Sequence, residues 1–329
     1  MTGGSARGSN GEVPEVDPSR IRTIPVATRP NKVAAAAFAK PPGPDRSFRA
    51  FLDSLPDILE ARSFLAVVDA VATAAREGRA IVVMLGGHVV KTGLSPVLID
   101  LMERGAITHL ASNGSAVIHD YEMARWGATS EDVEAGLADG SFGMGEETGR
   151  GMNEAFIDGA RRGSGMGESV ARSLEARNDL ARPELSLLLA ARRLRVGFTV
   201  HAALGAEIIH QHPAADGAAI GATSLTDFRR LAAHLERLEG GVVLNLGSAV
   251  IMPEVFLKAL TVCRNVNRGE PPRFTAADFD MTRHYRPRVN VVERPTRSGG
   301  GTGYQITGHH EIMIPLLAWA VAERLQPGS

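Results

Sequence analysis

Six consecutive apolar residues, AIVVML at 80–85, constrain the fold of this chain more than any other feature. An apolar run of this length without alternation suits a parallel strand that is buried on both faces. Residues 57–77 before it place apolar groups at helical spacing, and Gly78 ends that helix. Further strands are predicted at 106–112, 196–200, 242–246 and 289–293. Strands that alternate with helices predict an α/β protein with a doubly wound, Rossmann-like parallel sheet.

Helical spacing of apolar residues predicts most of the remaining elements. The predicted helices cover residues 95–103, 224–237, 253–266 and 310–325. Residues 116–192 are mainly helical with glycine-rich breaks, which predicts helical insertions between the strands. Residues 1–50 are rich in Gly, Pro, Ser and Arg and have no sustained period, which predicts a flexible N-terminal arm. Residues 51–326 are then expected to form a single domain.

Composition excludes several classes of function. The formal net charge of -1 creates no global field that would favour nucleic acid or an acidic membrane as a partner. No apolar run approaches the ~20 residues that a membrane-spanning helix needs. Cys263 is the single cysteine, so no disulfide can form within the chain, and we expect a cytoplasmic location.

Two glycine-containing turns follow predicted strands, where doubly wound sheets bind their ligands. They are LGGHVVKTG at 85–93 and ASNGS at 111–115. Their glycines let backbone amides approach a phosphate or a ribose, and the amino end of the following helix favours an anion. Neither turn is the G-x-G-x-x-G fingerprint. Glycines that only make tight turns are therefore the alternative interpretation.

Several side chains near these turns could carry acid–base chemistry. Lys91 is one of four lysines in a chain whose other basic residues are arginines. A buried lysine can lose its proton and act as a base, whereas arginine stays charged, so Lys91 is a candidate base. In the helix after the second turn, His119, Asp120 and Glu122 could bind ribose, orient an amine or move protons. Acidic residues that complement the helix dipole are an equal alternative for the two carboxylates.

Histidines after the third predicted strand and before the last helix are further candidates. The pair His210 and His212 suits a metal site that would take His201 or Glu207 as a third ligand. Because no spaced carboxylate–histidine signature accompanies this pair, we predict no metal and favour an acid–base role for both histidines. His309, where the last helix begins, is a third acid–base candidate.

The C-terminal third contains a glycine-rich segment and an arginine cluster. The segment SGGGTG at 298–303 could close over a ligand or simply be mobile. Arg283, Arg286 and Arg288 could bind a carboxylate or phosphate through paired hydrogen bonds. A solvated charged face is the alternative for these arginines.

In the order of these segments, residues 55–325 resemble the deoxyhypusine synthase family. The family's first turn, Ser-Asn-x-x-Ser-Ser-Gly, falls on residues 87–93, and its second, Thr-Thr-Ala-Gly-Gly, falls on residues 111–115. The acidic pair after the second turn aligns with His119 and Asp120, and Asp120 is the better match. A functional histidine of the family falls near His210 or His212. The resemblance implies a doubly wound fold that binds NAD and a homotetramer built as a dimer of dimers.

The cofactor-binding residues that the turns and the resemblance imply form one set. They are Gly86, Gly87, His88, Thr92, Gly93, Ser112, Asn113, Gly114, Ser115, Gly247 and Ser248. The family's nucleophilic lysine falls on Met252, whose thioether cannot form an imine, so deoxyhypusine synthesis by the family route is not expected. A more distant resemblance joins Asn113 and residues 119–122 to the Gly-Asn-x-x-x-x-His-Asp-x-Glu segment of NAD-dependent ornithine cyclodeaminase domains.

These observations together predict a deoxyhypusine synthase-like enzyme of amine metabolism. We expect NAD-dependent chemistry on a C–N bond of a small amine or amino acid, either group transfer or deamination through a transient imine. The catalytic candidates are Lys91, His119, Asp120, Glu122, His210, His212 and His309. One alternative is a metal-dependent hydrolase that uses His210 and His212. Another is a relative without enzymatic activity that keeps only the scaffold, as the loss of lysine at Met252 would allow.

Overall fold

The computed structural model describes residues 15–297 and 299–326. The chain divides into two compact units, residues 1–38 and residues 39–329. The first unit, described from residue 15 onward, forms short 3-10 helices at Pro18–Arg20, Val26–Thr28 and Ala35–Ala37 and buries no side chain. Residues 1–14 of the predicted arm lie outside the described residues, and its last residues belong to a helix of the second unit.

The second unit alternates strands with helices. Its strands are β1 (Ile81–Leu85), β2 (His109–Asn113), β3 (Gly197–His201), β4 (Val242–Leu246), β5 (Thr275–Asp280) and β6 (Thr302–Thr307). Its α-helices are α1 (Phe48–Ser54), α2 (Leu59–Arg76), α3 (Gly87–Lys91), α4 (Ser95–Glu103), α5 (Gly114–Trp126), α6 (Val133–Asp139), α7 (Glu146–Arg162), α8 (Met166–Glu175), α9 (Leu187–Leu194), α10 (Gly217–His234), α11 (Ile251–Val266), α12 (Arg294–Arg297) and α13 (His310–Leu325). Short 3-10 helices lie at Pro183–Leu185, Ile208–Gln211 and Leu235–Arg237, and a π-helix at Pro287–Glu293.

The six strands form one sheet in the order β3-β2-β1-β4-β5-β6, and every pairing is parallel. Val83 of β1 is in register with Leu110 of β2 on one side and with Leu244 of β4 on the other. The strand order reverses direction between β1 and β4, and doubly wound sheets bind ligands at this switch point. The predicted doubly wound parallel sheet is therefore confirmed.

Both faces of the sheet are covered by helices. Ile81, Val83 and Leu85 of β1 pack in one core cluster with residues of α2, α4 and α13. Val82 and Met84 point the other way and pack in a second cluster with residues of α11. This two-sided burial is the physical reason that β1 is apolar at every position. A third cluster joins α5, α7 and α8 and forms the predicted helical insertion between β2 and β3.

The C-terminal third differs from the sequence-based prediction. Residues 289–293 were expected to form a strand, but they lie in the π-helix, with Val289, Val291 and Val292 buried. A short apolar run cannot distinguish a buried strand from a buried helical turn, and here the helical form is adopted. The strands of this region are β5 and β6, whose polar residues interrupt the apolar pattern from which a strand is predicted. No helix in the described part of the chain has the length and hydropathy that crossing a membrane requires.

Candidate functional site

A cavity of about 210 Å³ opens beyond the carboxyl ends of β1, β2 and β3. α3 and α5, together with the segment after β3, bring their side chains to it. The charged residues that line it are Lys91, Glu122, Glu131 and Glu207, and His119 lies among them. A second cavity of about 370 Å³ shares Glu122 and Glu131 with the first. The two cavities thus form adjoining parts of one site.

Spacing along α5 decides which side chains face the cavity. His119 and Glu122 are three residues apart, so they lie on the same face of the helix. The hydroxyl of Thr129 donates to Oε2 of Glu122 at 2.5 Å, and Thr148 donates to Oε1 of the same carboxylate at 3.0 Å. Thr129 Oγ1 also lies 2.8 Å from Nδ1 of His119. These contacts connect Glu122, Thr129 and His119 in one chain of hydrogen bonds.

The hydrogen bonds through Thr129 fix the tautomer of His119. Because the single hydroxyl hydrogen of Thr129 is donated to Glu122, Thr129 must accept a hydrogen from Nδ1 of His119. A neutral imidazole with its hydrogen on Nδ1 has a free lone pair on Nε2, and no described residue forms a hydrogen bond with that atom. Burial and the nearby charge of Lys91 both lower the pKa of His119, which favours the neutral ring. His119 therefore has the form of a general base.

Lys91 is the last residue of the five-residue helix α3, and it is exposed. The sequence argument for Lys91 as a base requires burial, which the structure does not provide. The residue nonetheless lines the cavity, with its positive charge near His119. This arrangement suits a partner for an anionic group of a ligand better than a base.

Glu207 lines the cavity, as does Glu131, although neither residue was predicted to be catalytic from the sequence. Oε1 of Glu207 accepts hydrogen bonds from the backbone N–H groups of Gly114 at 2.8 Å and Ala203 at 3.0 Å. Burial raises the pKa of Glu207, and the two N–H donors oppose that rise. His210 approaches from the following 3-10 helix, with Nε2 at 3.4 Å from Oε2 of Glu207. The position of Glu207 after a predicted strand and near His210 was the only signal for this residue in the sequence.

Asp120 is separated from the cavity although it adjoins His119 in sequence. It points to the interior, where Oδ1 accepts from the N–H of Leu187 at 2.6 Å and Oδ2 accepts from the hydroxyl of Ser186 at 2.7 Å. Burial raises the pKa of Asp120 to about 6. These contacts secure the amino end of α9, so the side chain predicted to bind an amine or ribose instead makes structural contacts.

His212 and His309 also lie apart from the cavity. Nε2 of His212 contacts Glu146 at 3.0 Å, and Nδ1 accepts from the N–H of Ala214. His309 is exposed at the start of α13, 3.7 Å from a carboxylate oxygen of Glu311. Since His210 and His212 contact different carboxylates, they do not converge. No group of three potential metal-binding side chains occurs within residues 15–297 and 299–326.

The turn glycines at the switch point are explained first by packing. A Cβ on Gly86 would lie 2.2 Å from the carbonyl oxygen of Gly247, and one on Gly87 would lie 2.7 Å from Oγ of Ser115. Gly247 has a φ of +69° and packs against the ring of His310. The turns after β1 and β4 therefore touch each other, and no side chain would fit between them.

Local hydrogen bonds involve four further residues of the predicted cofactor set, namely Thr92, Asn113, Ser115 and Ser248. Thr92 Oγ1 donates to the carbonyl of His88 at 2.8 Å, and Gly93 follows with a φ of +85°. Ser115 donates to Oδ1 of Asn113 at 2.9 Å, and Oγ of Ser248 accepts from the N–H of Met252 at 3.2 Å.

Three buried polar atoms at the switch point have no hydrogen-bond partner within the described residues. They are Oγ of Ser112, Oδ1 of Asn245 and Nδ1 of His310. Buried polar atoms are normally paired, so an unpaired set at a switch point suits a polar ligand.

The candidate arginines of the C-terminal third form ion pairs within the protein, and Met252 is buried. Arg283 pairs with Glu60, and the neighbouring arginines of the cluster pair with carboxylates in the same way. In the glycine-rich segment, Ser298 lies outside the described residues, and the segment leads into β6. Met252, at the position of the family lysine, lies in α11 and is completely buried in the second hydrophobic cluster.

No protein-family model matches the chain, and no curated protein matches it in sequence. Solved structures do resemble it. A LOR/SDH protein from Methanococcus maripaludis S2 aligns with a TM-score of 0.50 and 13% identity, over 81% of this chain and 71% of that one. A mutant of AgrE, solved as a binary complex with L-arginine, aligns with a TM-score of 0.50 and 15% identity, over 80% of this chain and 32% of AgrE.

A protein from Entamoeba histolytica assigned as a deoxyhypusine synthase aligns with a TM-score of 0.48 and 8% identity, over 83% of this chain and 92% of that one. An alignment this weak adds nothing to the assignment. The first two likenesses show a shared fold, namely an α/β protein with a parallel sheet. This chain spans only about a third of AgrE.

Proposed function

We propose that this chain is an NAD-dependent enzyme that acts on a C–N bond of a small amine or amino acid. The observation that supports this most is the hydrogen-bonded chain from Glu122 through Thr129 to His119. It leaves Nε2 of a neutral imidazole free beside a cavity lined by carboxyl groups. A general base of this kind can take a proton from an ammonium group or from a carbon that bears nitrogen.

The charges of the cavity favour a ligand that carries an amine. Three carboxyl groups, from Glu122, Glu131 and Glu207, face a single lysine, Lys91. An amino acid would place its ammonium group among the carboxylates and its own carboxylate near Lys91. The two adjoining cavities, of about 210 Å³ and 370 Å³, lie below and at the lower end of the ~300–1,000 Å³ range of typical ligand pockets, which favours a small ligand.

The unpaired polar atoms at the switch point support a dinucleotide as the cofactor. Ser112, Asn245 and His310 would hold the cofactor through these atoms. When bound, NAD supplies a hydride acceptor that activates a carbon bearing nitrogen. The amino end of α5 contributes less than the sequence predicted, because the N–H of Gly114 already donates to Glu207.

Two histidine variants test this proposal. The protein is incubated with NAD and a panel of amino acids and small amines, and substrate consumption is followed by mass spectrometry. His119→Gln should lower turnover by about 10²–10⁴-fold, the range for loss of a general base. His309→Gln removes an exposed histidine outside the cavity and should keep the wild-type rate. Equal rates for the two variants, or a loss confined to His309→Gln, would contradict the proposal.

A further inference from the structure

The amino end of α5 is occupied by a side chain of the protein itself. α5 has 13 residues, and Asn113 at its start forms no side-chain cap. The free N–H groups and the dipole of such a helix attract an anion. Here the anion is the carboxylate of Glu207, which arrives from the segment after β3 and accepts from Gly114 at 2.8 Å. Ala203 donates to the same oxygen at 3.0 Å, which holds the carboxylate in place.

The fit between Glu207 and the helix leaves no room for a second anion. A Cβ on Gly114 would lie 2.1 Å from Oε2 and 2.3 Å from the carboxyl carbon of Glu207. The carboxylate therefore lies directly against the Cα of Gly114, where a bound phosphate would have to be. Only 4% of Glu207 is exposed, so water does not provide an alternative partner.

His210 lies beside the second carboxylate oxygen of Glu207. The N–H of Gly205 donates to Nδ1 of His210 at 3.2 Å, so that nitrogen is an acceptor without a proton. The neutral ring then carries its hydrogen on Nε2, which lies 3.4 Å from Oε2 of Glu207. Neither of these two buried atoms forms a full hydrogen bond within the described residues. Oε2 of Glu207 therefore keeps capacity for one more donor.

We infer that Glu207 is a built-in anion that closes the amino end of α5 to phosphate and makes the adjoining cavity select a cationic amine. The selection of an amine specifies the kind of substrate that the proposed enzyme binds, and it rests on the proposed function. The closure of the helix to phosphate stands independently of NAD and of turnover.

Three variants and two simple probes test the inference by calorimetry on the full chain. Inorganic phosphate reports on the amino end of α5, and butylammonium reports on the cavity. Glu207→Ala opens the helix end and should bind phosphate at least tenfold more tightly than the wild type. Glu207→Gln keeps the position filled but removes the charge. It should gain no phosphate affinity and should lose at least tenfold in butylammonium affinity.

Glu131→Ala is the matched control, because it removes a carboxylate from the same cavity but not from a helix end. It should gain less than threefold in phosphate affinity. Phosphate affinities that are equal in Glu207→Ala and Glu131→Ala would overturn the closure, and so would phosphate bound at Gly114 in the wild type. Unchanged butylammonium affinity in Glu207→Gln would overturn the selection. If Glu207→Ala does not fold, the isosteric Glu207→Gln and the wild type still decide both points. Failure of NAD to bind would refute the proposed function and leave the closure intact.

Discussion

Asp120 should be required for stability and not for ligand binding, although it adjoins His119 in sequence. Its carboxylate accepts from the N–H of Leu187 at 2.6 Å, from the hydroxyl of Ser186 at 2.7 Å and from the N–H of Leu188 at 3.3 Å. Only 1% of Asp120 is exposed. Replacement by alanine leaves these donors without their partner in a region that water does not reach.

The size of the loss follows from these contacts. A buried donor left without a partner costs about 1–3 kcal/mol, and loss of a helix cap costs about 0.5–2 kcal/mol. Ser186 retains a role, because its Oγ still accepts from the N–H of Leu189 at 3.2 Å. We therefore expect Asp120→Ala to lower the free energy of unfolding by roughly 3 kcal/mol. Asp158, an exposed carboxylate on α7, is the control, and Asp158→Ala should leave stability nearly unchanged.

The pKa of Asp120 adds a dependence on pH. Burial raises it to about 6, whereas an unperturbed aspartate has a value of 3.8. Between these values the native protein holds a proton that the unfolded chain has released. The contribution of Asp120 to stability is therefore fully present below about pH 4 and is lost as the pH rises through about 6. Asp120→Asn does not titrate, so the wild type should lose stability relative to this variant across that interval.

Urea unfolding of the wild type and these variants at several pH values measures both effects. Binding of the amine ligand to the folded variants is measured beside it. An Asp120→Ala protein as stable as Asp158→Ala would refute the structural role. A fully stable Asp120→Ala protein that no longer binds amine would refute it in favour of the role expected from the sequence.

Two further predictions concern the turn after β1 and the pKa of His119. Gly86→Ala should destabilise the protein by about 1–3 kcal/mol in urea unfolding, because its Cβ would lie 2.2 Å from the carbonyl oxygen of Gly247. Gly221→Ala in α10 has open space and should be neutral or stabilising by up to about 1 kcal/mol, and equal effects of the two substitutions would contradict the packing. Lys91→Gln should raise the pKa of His119 toward its ordinary value in an NMR titration of the ring, because Lys91 helps to lower it. An unchanged titration would contradict that coupling.

The central strands could be predicted from sequence because they are buried on both faces. The predicted strand at 242–246 coincides with β4, and the run at 80–85 contains β1. β5 and β6 could not be predicted in this way. Asp278 and Asp280 interrupt the apolar pattern of β5, whereas β6 is an edge strand with exposed residues.

Part of the candidate site was also accessible from sequence. The three-residue spacing of His119 and Glu122 places them on one face of a helix and Asp120 on another. Applied to residues 119–122, this rule would have separated the cavity residues from the buried structural acid. The contact between Glu207 and Gly114 was not accessible, because 93 residues separate the two and no local pattern connects them.

Titration of NAD into the purified wild-type protein, followed by calorimetry, tests the central claim most directly. A dinucleotide at the switch point should satisfy the unpaired atoms of Ser112, Asn245 and His310. We therefore predict a single saturable site per chain, and weaker binding to His310→Ala. Saturable binding with this loss would support NAD as the cofactor of this protein. The absence of any binding of NAD to the folded protein would contradict the account.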